Sequence, residues 1–330
     1  MLKNDKVLLI GDLNIDNIVK IPVYPAPGGD AIPDKLETHI GGAVANTAFV
    51  LDKLGQSAKI ISALGEDVWA GVIMKTFSGT GIDLSKVIHT DADTTGMIII
   101  LVTPDGERTM LSYRGANTRL TPEAIHQQSF EDVGILHISG YAFLKEPQRS
   151  ACFKAIQVAE ELQIPISIDI GLEPAEKCRE LFISLLPKLT FCITGMHEPD
   201  IFWGCKIMEE AASKFLASGV KIPSIKLGAD GCYLARQSNQ FYLPPLPVQP
   251  VDSTGAGDAF SAGLLYGFMH RFSLRQMGIM ANLTGALATL SIGAGNNLLG
   301  KDDIQSFFNA SGRDLLTDPD FQHIHRALLV

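Results

Sequence analysis

The chain has 330 residues, is 46% hydrophobic and 19% charged, and carries a formal net charge of −9. That composition describes a globular protein with ample material for one large core. The acidic balance, with no basic run to offset it, excludes a nucleic-acid binder. The five cysteines (Cys152, Cys178, Cys192, Cys205 and Cys232) show no C-x-x-C spacing, which excludes a zinc site or a disulfide framework and predicts free thiols in a reducing cytoplasm. The N-terminus has no long apolar core of the kind a leader peptide needs, and no apolar run is long enough for a bilayer, so a cytoplasmic protein away from membranes is expected.

In chain order, Val7-Leu8-Leu9-Ile10 ending at Gly11 reads as a buried parallel strand. Residues 21–40, rich in Pro and Gly, read as edge strands and turns outside the core. Ala43 to Leu54 has helical spacing with Gly55 as its stop. A strand over 59–64 and a helix over 69–80 follow. Met97–Val102 and Arg108–Tyr113 flank Thr103-Pro104-Asp105-Gly106, a hairpin signature. Beyond it, strands near 135–138, 166–169, 191–193 and 224–227 alternate with helices near 147–162, 175–186 and 208–218. This alternation predicts an α/β fold with a mainly parallel sheet covered by helices on both faces. No linker divides the chain, so residues 1–330 are expected to form one domain. Ligands of such sheets bind beyond the C-terminal strand ends, where Gly11, Asp16, Asp169, Glu198 and Gly228 are expected to lie.

The most informative stretch is Val251-Asp252-Ser253-Thr254-Gly255-Ala256-Gly257-Asp258-Ala259-Phe260. Its glycines make a tight turn that runs into a helical pattern. The turn is expected to leave the N–H groups of Ala256, Gly257 and Asp258 unpaired at the positive end of the helix dipole, forming an anion hole. A carboxylate beside a phosphate-sized hole suits removal of a proton from a group that attacks phosphorus, so Asp258 is the candidate general base. Two decoys are set aside. Gly295 to Asp302 ends in Asp where a P-loop has Ser or Thr, and it follows a helical pattern. Gly255-Ala256-Gly257 lacks the third glycine of a dinucleotide fingerprint.

The same stretch closely resembles the second signature of the ribokinase (PfkB) family of carbohydrate kinases, D-T-T-G-A-G-D-x-F, with Ser253 the main variant. Gly41-Gly42-Ala43-Val44-Ala45-Asn46-Thr47-Ala48 resembles the first signature. Gly11 to Asp16 matches the family's opening, Lys226-Leu227-Gly228-Ala229-Asp230-Gly231 its nucleotide-side turn, and Asn282 with Gly293-Ala294 its closing segment. The resemblance spans nearly the whole chain in family order. It implies a ribokinase-like kinase that uses ATP and Mg²⁺ to phosphorylate a hydroxyl of a small sugar. A small β lid is implied over about residues 14–40 and 93–115, and a homodimer through that lid. A nucleoside acceptor is the alternative within the fold, and a non-catalytic binding protein the alternative of a different class.

The resemblance also distributes roles. Asp16, Gly41, Gly42 and Asn46 fall at acceptor positions, where carboxylate and amide groups suit vicinal hydroxyls. Arg114 is expected to reach a substrate anion from the lid or to be solvated. Lys226, Gly228, Gly231 and Asn282 fall on the nucleotide side. Glu198 matches the glutamate of an N-x-x-E motif that organises Mg²⁺ through water, but Gly195 stands where the motif has Asn. Asp252, Thr254, Ala288, Ser291, Gly293 and Asn297 resemble a K⁺-binding loop. Neither the acidic residue usual in ribokinases nor the full D-x-N-x-R of fructokinases is present after the relevant strands, so the particular sugar stays open.

Overall fold

The computed structural model describes residues 5–291, 293–310 and 314–329, so the N-terminal residues 1–4 considered above lie outside it. The strands are β1 Lys6–Ile10, β2 Asn14–Lys20, β3 Lys35–Gly41, β4 Ala58–Gly65, β5 Asp83–Thr90, β6 Gly96–Val102, β7 Arg108–Tyr113, β8 Val133–Ser139, β9 Ile166–Asp169, β10 Phe191–Thr194, β11 Ile222–Lys226, β12 Cys232–Ala235 and β13 Gln240–Leu243. The helices are α1 Ala43–Lys53, α2 Val68–Phe77, α3 Gln148–Glu161, α4 Leu172–Lys177, α5 Arg179–Leu185, α6 His197–Trp203, α7 Met208–Ala217, α8 Ala256–Met269, α9 Leu274–Ala288, α10 Lys301–Ala310 and α11 Pro319–Leu328.

Nine strands form the main sheet in the order β13-β12-β11-β10-β9-β8-β1-β4-β5. The pairs from β11 to β5 are parallel, and β12 and β13 are antiparallel additions. Central strands are mostly buried along their length because helices cover both faces; all eight residues of β4 are buried. A separate four-stranded sheet has the order β3-β2-β6-β7. β2 leaves the end of β1 almost at once, so Asp16 lies within β2 of this smaller sheet and not beyond a strand end as expected. The expected helix over 175–186 is two helices, because Cys178 adopts φ −127°, ψ 31° between them. β5 went unforeseen: only partly buried, it carries no apolar alternation to mark it.

Close packing of two helices fixes where α8 begins. A β-carbon on Gly263 would stand 2.2 Å from Thr284 Oγ1 and 2.6 Å from the Met280 carbonyl. Only a glycine there lets α8 press this closely on α9. Phe260, Leu264, Leu265 and Tyr266 are buried around the contact, each side chain contributing about 1.5–3 kcal/mol by removal from water. The start of α9 is fixed by a capping box between Ser273 and Gln276. A rigid α8 therefore presents its N-terminus at the C-terminal edge of the main sheet.

Candidate active site

Gly255, at φ +76°, is the N-cap of α8, and no side chain caps the helix. The Ala256 N–H donates to the Ser253 carbonyl at 3.2 Å. The expected three-amide hole is thus reduced to Gly257 and Asp258, whose N–H groups have no intrahelical acceptor at these positions. Beside them, strand order brings two charges together. β9 and β11 flank β10, so Asp169 and Lys226 stand two strand spacings apart, about 10 Å of backbone. The lysine stem spans the gap, and its Nζ lies 2.9 and 2.8 Å from the two Asp169 carboxylate oxygens. Ser261 Oγ donates to Asp169 Oδ2 at 2.9 Å. A β-carbon on Gly257 would lie 3.4 Å from Lys226 Nζ, so an ammonium group borders the two remaining amides. From sequence, Asp169 had an expected place but no role, and Ser261 was not foreseen. The signal available was Asp169 at the end of a buried parallel strand.

Asp258 is half-buried on the first turn of α8. Asn46 Nδ2 donates to its Oδ2 at 2.7 Å, and Asn46 Oδ1 accepts the Gly295 N–H at 2.8 Å. Asn46 thus links Asp258 to the Gly295 backbone. Burial pushes the Asp258 carboxyl up to about 7; the Asn46 hydrogen bond opposes the rise, the Asp169 charge adds to it and the Lys226 charge opposes it. Asp16 is also raised to about 7, first by burial and then by the charge of Asp258. Its Oδ1 has no hydrogen-bond partner among the described residues. Gly41 gives it room, since a β-carbon there would fall 1.9 Å from Asp16 Oδ2. Gly42, at φ +97°, brings its α-carbon against the Asp12 carbonyl, where a β-carbon would stand only 2.2 Å away. Asp16, Asn46 and Asp258 therefore meet, as three distant sequence segments.

Arg114 is ion-paired and little exposed, and its Nη1 is buried with no hydrogen-bond partner among the described residues. Its Nε and Nη2 donate to Asp12 at 2.7 and 2.8 Å, and Nη2 also donates to Gln148. Glu198 is buried at the start of α6; its Oε2 accepts the Gly195 N–H at 2.8 Å, and burial raises its carboxyl. Asn282 lines the cleft but donates its amide to the Pro244 carbonyl at 2.7 Å. That cleft, of about 360 Å³, is lined by Lys226, Ala256 and Gly257, by Leu246, Val248, Phe260 and Asn282, and by Gly228 and Gly231. Ser291 Oγ is 3.4 Å from the Asn297 carbonyl, and the Gly293 N–H donates to Asp252 Oδ2 at 2.9 Å. Asp252 and Thr254 both accept from Arg108, a residue marked in the sequence only as the start of a hairpin strand.

A cleft lined by a cation and a helix start with unpaired amides, followed at once by a carboxylate, has the parts a phosphoryl-transfer enzyme needs. Comparison with known proteins specifies the group. Residues 4–300 match the pfkB family carbohydrate kinase description. The chain is 28% identical to the bifunctional ribokinase/ribose-5-phosphate isomerase A of Fructilactobacillus sanfranciscensis, over 92% of this chain and 56% of that protein. It is 27% identical to the aminoimidazole riboside kinase of Salmonella typhimurium, over 93% of this chain and 96% of that one. It thus spans little more than half of the bifunctional relative and nearly all of the Salmonella kinase. The structure of Arabidopsis thaliana ribokinase complexed with ribose and ATP superposes with a TM-score of 0.78 at 20% identity, covering 93% of this chain and 100% of that one. The chain belongs to the pfkB family of carbohydrate kinases, and its fold is the ribokinase fold. Among the described residues, no helix is long and apolar enough to cross a membrane.

Proposed function

We propose that the protein transfers the γ-phosphoryl group of ATP to a hydroxyl of a small sugar, with Asp258 as the general base. The observation that carries this reading is the Asp258 carboxyl, raised to about 7 and held by Asn46 on the helix start whose Gly257 lines the cleft. A base with that affinity is matched to taking a hydroxyl proton near neutral pH, a contribution worth ~10²–10⁴-fold. The apolar side of the cleft around Leu246, Val248 and Phe260 suits an adenine ring, with Gly228, Gly231 and Asn282 beside it. The phosphate chain then points to the Gly257 and Asp258 amides and to Lys226. Lys226 shifts its ammonium from Asp169 toward the transferring group and takes the place of the asparagine amide that Gly195 lacks. Among the described residues no cluster of three or more His, Cys, Asp or Glu could hold a metal ion. Mg²⁺ fits this site as an ion carried mainly by phosphate oxygens and water, with Glu198 as an outer partner; bound there, it neutralises phosphate charge.

The acceptor lies against Gly41 and Gly42, with the unpaired Asp16 oxygen taking a hydroxyl. Because Asp12 neutralises Arg114 and Asp16 presents a carboxylate, this side favours an uncharged acceptor. The Salmonella relative's name keeps a riboside as a second acceptor class. The smaller sheet acts as a lid that excludes water. Its outer face exposes Leu36, Ile99, Leu111 and Tyr113, which supports a homodimer through the lid; light scattering that gives a monomer would count against it. The main reading is tested by ADP release with a panel of pentoses, hexoses and nucleosides. Acceptor-dependent turnover lost in Asp258→Asn supports it, and no turnover with any acceptor sinks it.

A further inference from the structure

The turn that leads into the anion hole runs from Asp252 to Gly255, and it is held from the smaller sheet. Arg108 opens β7, and its guanidinium donates through Nη2 to Asp252 Oδ1 and through Nη1 to the Thr254 hydroxyl. The rest of the carboxylate is also engaged: Oδ1 accepts the Thr254 N–H at 2.7 Å and Oδ2 accepts the Gly293 N–H at 2.9 Å. The Asp252 side chain is only 5% exposed and that of Arg108 24%. Lys20 lines the same crevice, of about 160 Å³. The donor set that resembles a K⁺ loop therefore does not fit an added cation. Its one carboxylate already faces a fixed positive charge and two N–H donors, and a second cation there would be repelled at close range in a poorly hydrated space.

We infer that Arg108 is the resident cation of this turn, so that the protein needs no bound monovalent cation, and that it positions the anion hole relative to the lid sheet. The planar guanidinium suits this role because it holds carboxylate and hydroxyl at once from a fixed fork. Arg108 is a positioning residue: it acts through Asp252 and Thr254 on the amides that follow. A consequence is that lid placement and anion-hole geometry change together, since one side chain belongs to both.

The test compares the wild type with Arg108→Met and Arg108→Lys in matched chloride buffers of K⁺, Na⁺ or N-methyl-D-glucamine. Two quantities are read: the thermal unfolding midpoint, and the Kd for a non-hydrolysable ATP analogue with Mg²⁺. The wild type is expected to keep one midpoint and a Kd constant within about twofold in all three salts. Arg108→Met leaves Asp252 buried without its cation, so it should melt lower and bind about tenfold more weakly in N-methyl-D-glucamine, with K⁺ restoring part of each loss. Arg108→Lys should stay independent of K⁺. A wild-type midpoint that rises selectively in K⁺ overturns the inference, as does an Arg108→Met variant that matches the wild type in both readouts. The affinity readout rests on the kinase reading above. Failure of the analogue to bind in any salt would count against that reading, while the midpoints still decide the role of Arg108.

Discussion

Asn46 and Asp258, 212 positions apart in the chain, are joined by a 2.7 Å hydrogen bond from the Asn46 amide to Asp258 Oδ2. The bond runs from α1 to α8 and orients the carboxylate that directly follows Gly257. It also favours the ionised form of Asp258, against a burial that favours the neutral one. The acid limb of kcat/KM is therefore expected near pH 7, with rate rising as pH rises, because the base acts deprotonated. Asn46→Ala should move that limb to higher pH. A pH–rate profile in the two proteins checks both; a limb near pH 4 in the wild type would refute the assignment.

Asp258→Asn should lower kcat by at least ~10²-fold and should also stabilise the fold at alkaline pH. The folded-state value of about 7 lies above the unfolded 3.8. The protonated form is thus favoured by folding, and that stability is full below 3.8 and lost as pH rises through 7. At pH 8 the wild type carries a poorly hydrated charge that the amide variant lacks, a difference of up to a few kcal/mol. Melting curves at pH 5 and pH 8 should show the gain mainly at pH 8.

Lys226→Met tests the cation beside the amides. Loss of one fixed donor to developing charge typically costs ~10²–10³-fold in kcat. The variant also removes a charge that opposes the rise of Asp258, so its acid limb should move upward. A change confined to the KM for ATP, with kcat intact, would mean that Lys226 only binds nucleotide.

Gly41→Ala puts a methyl group where the Asp16 carboxylate now sits, 1.9 Å from Oδ2. Asp16 must turn away, so the KM for the acceptor should rise about tenfold, the equivalent of one lost hydrogen bond of ~1.4 kcal/mol. Affinity for an ATP analogue should hold steady. Equal weakening of both ligands would remove Asp16 from the acceptor site.

His137, 2% exposed, has its Nδ1 3.0 Å from Ser167 Oγ, and burial lowers its pKa to about 4. An unfolded histidine takes a proton near 6.5, so stability from this group is full above 6.5 and lost as pH falls through that value toward 4. Replacement by the uncharged His137→Gln should flatten the fall in melting temperature over that window. An unchanged slope would show that other groups set acid sensitivity.

Much of the site was legible in the chain because glycine spacing and helix onset are local matters. Gly255 to Asp258 can be read as a turn entering a helix, since the φ > 0 requirement at Gly255 and the apolar spacing after it both lie within a few residues. β7 and the two parallel strands β1 and β9 were likewise marked by their own residues. Local pattern failed where a side chain's fate depended on a distant partner. Ala256 lost its free N–H to Ser253, Asn46 bonds Asp258 across the fold, and Arg114 found Asp12 and Gln148. The main sheet's β12 and β13 were missed because four residues carry little periodic signal, and the edge strand β5 because its partly exposed residues show no apolar alternation.

The amino-acid order alone determined the α/β alternation, the glycine turn and the carboxylate after it, because each rests on contacts between near neighbours. The folded molecule decided which charges confront one another. Lys226 meets Asp169 because β9 and β11 flank β10, and Arg108 meets Asp252 because the smaller sheet packs beside the turn. Strand order and packing are set by burial summed over the whole chain, so no local pattern encodes them, and charge balance at the site is their consequence.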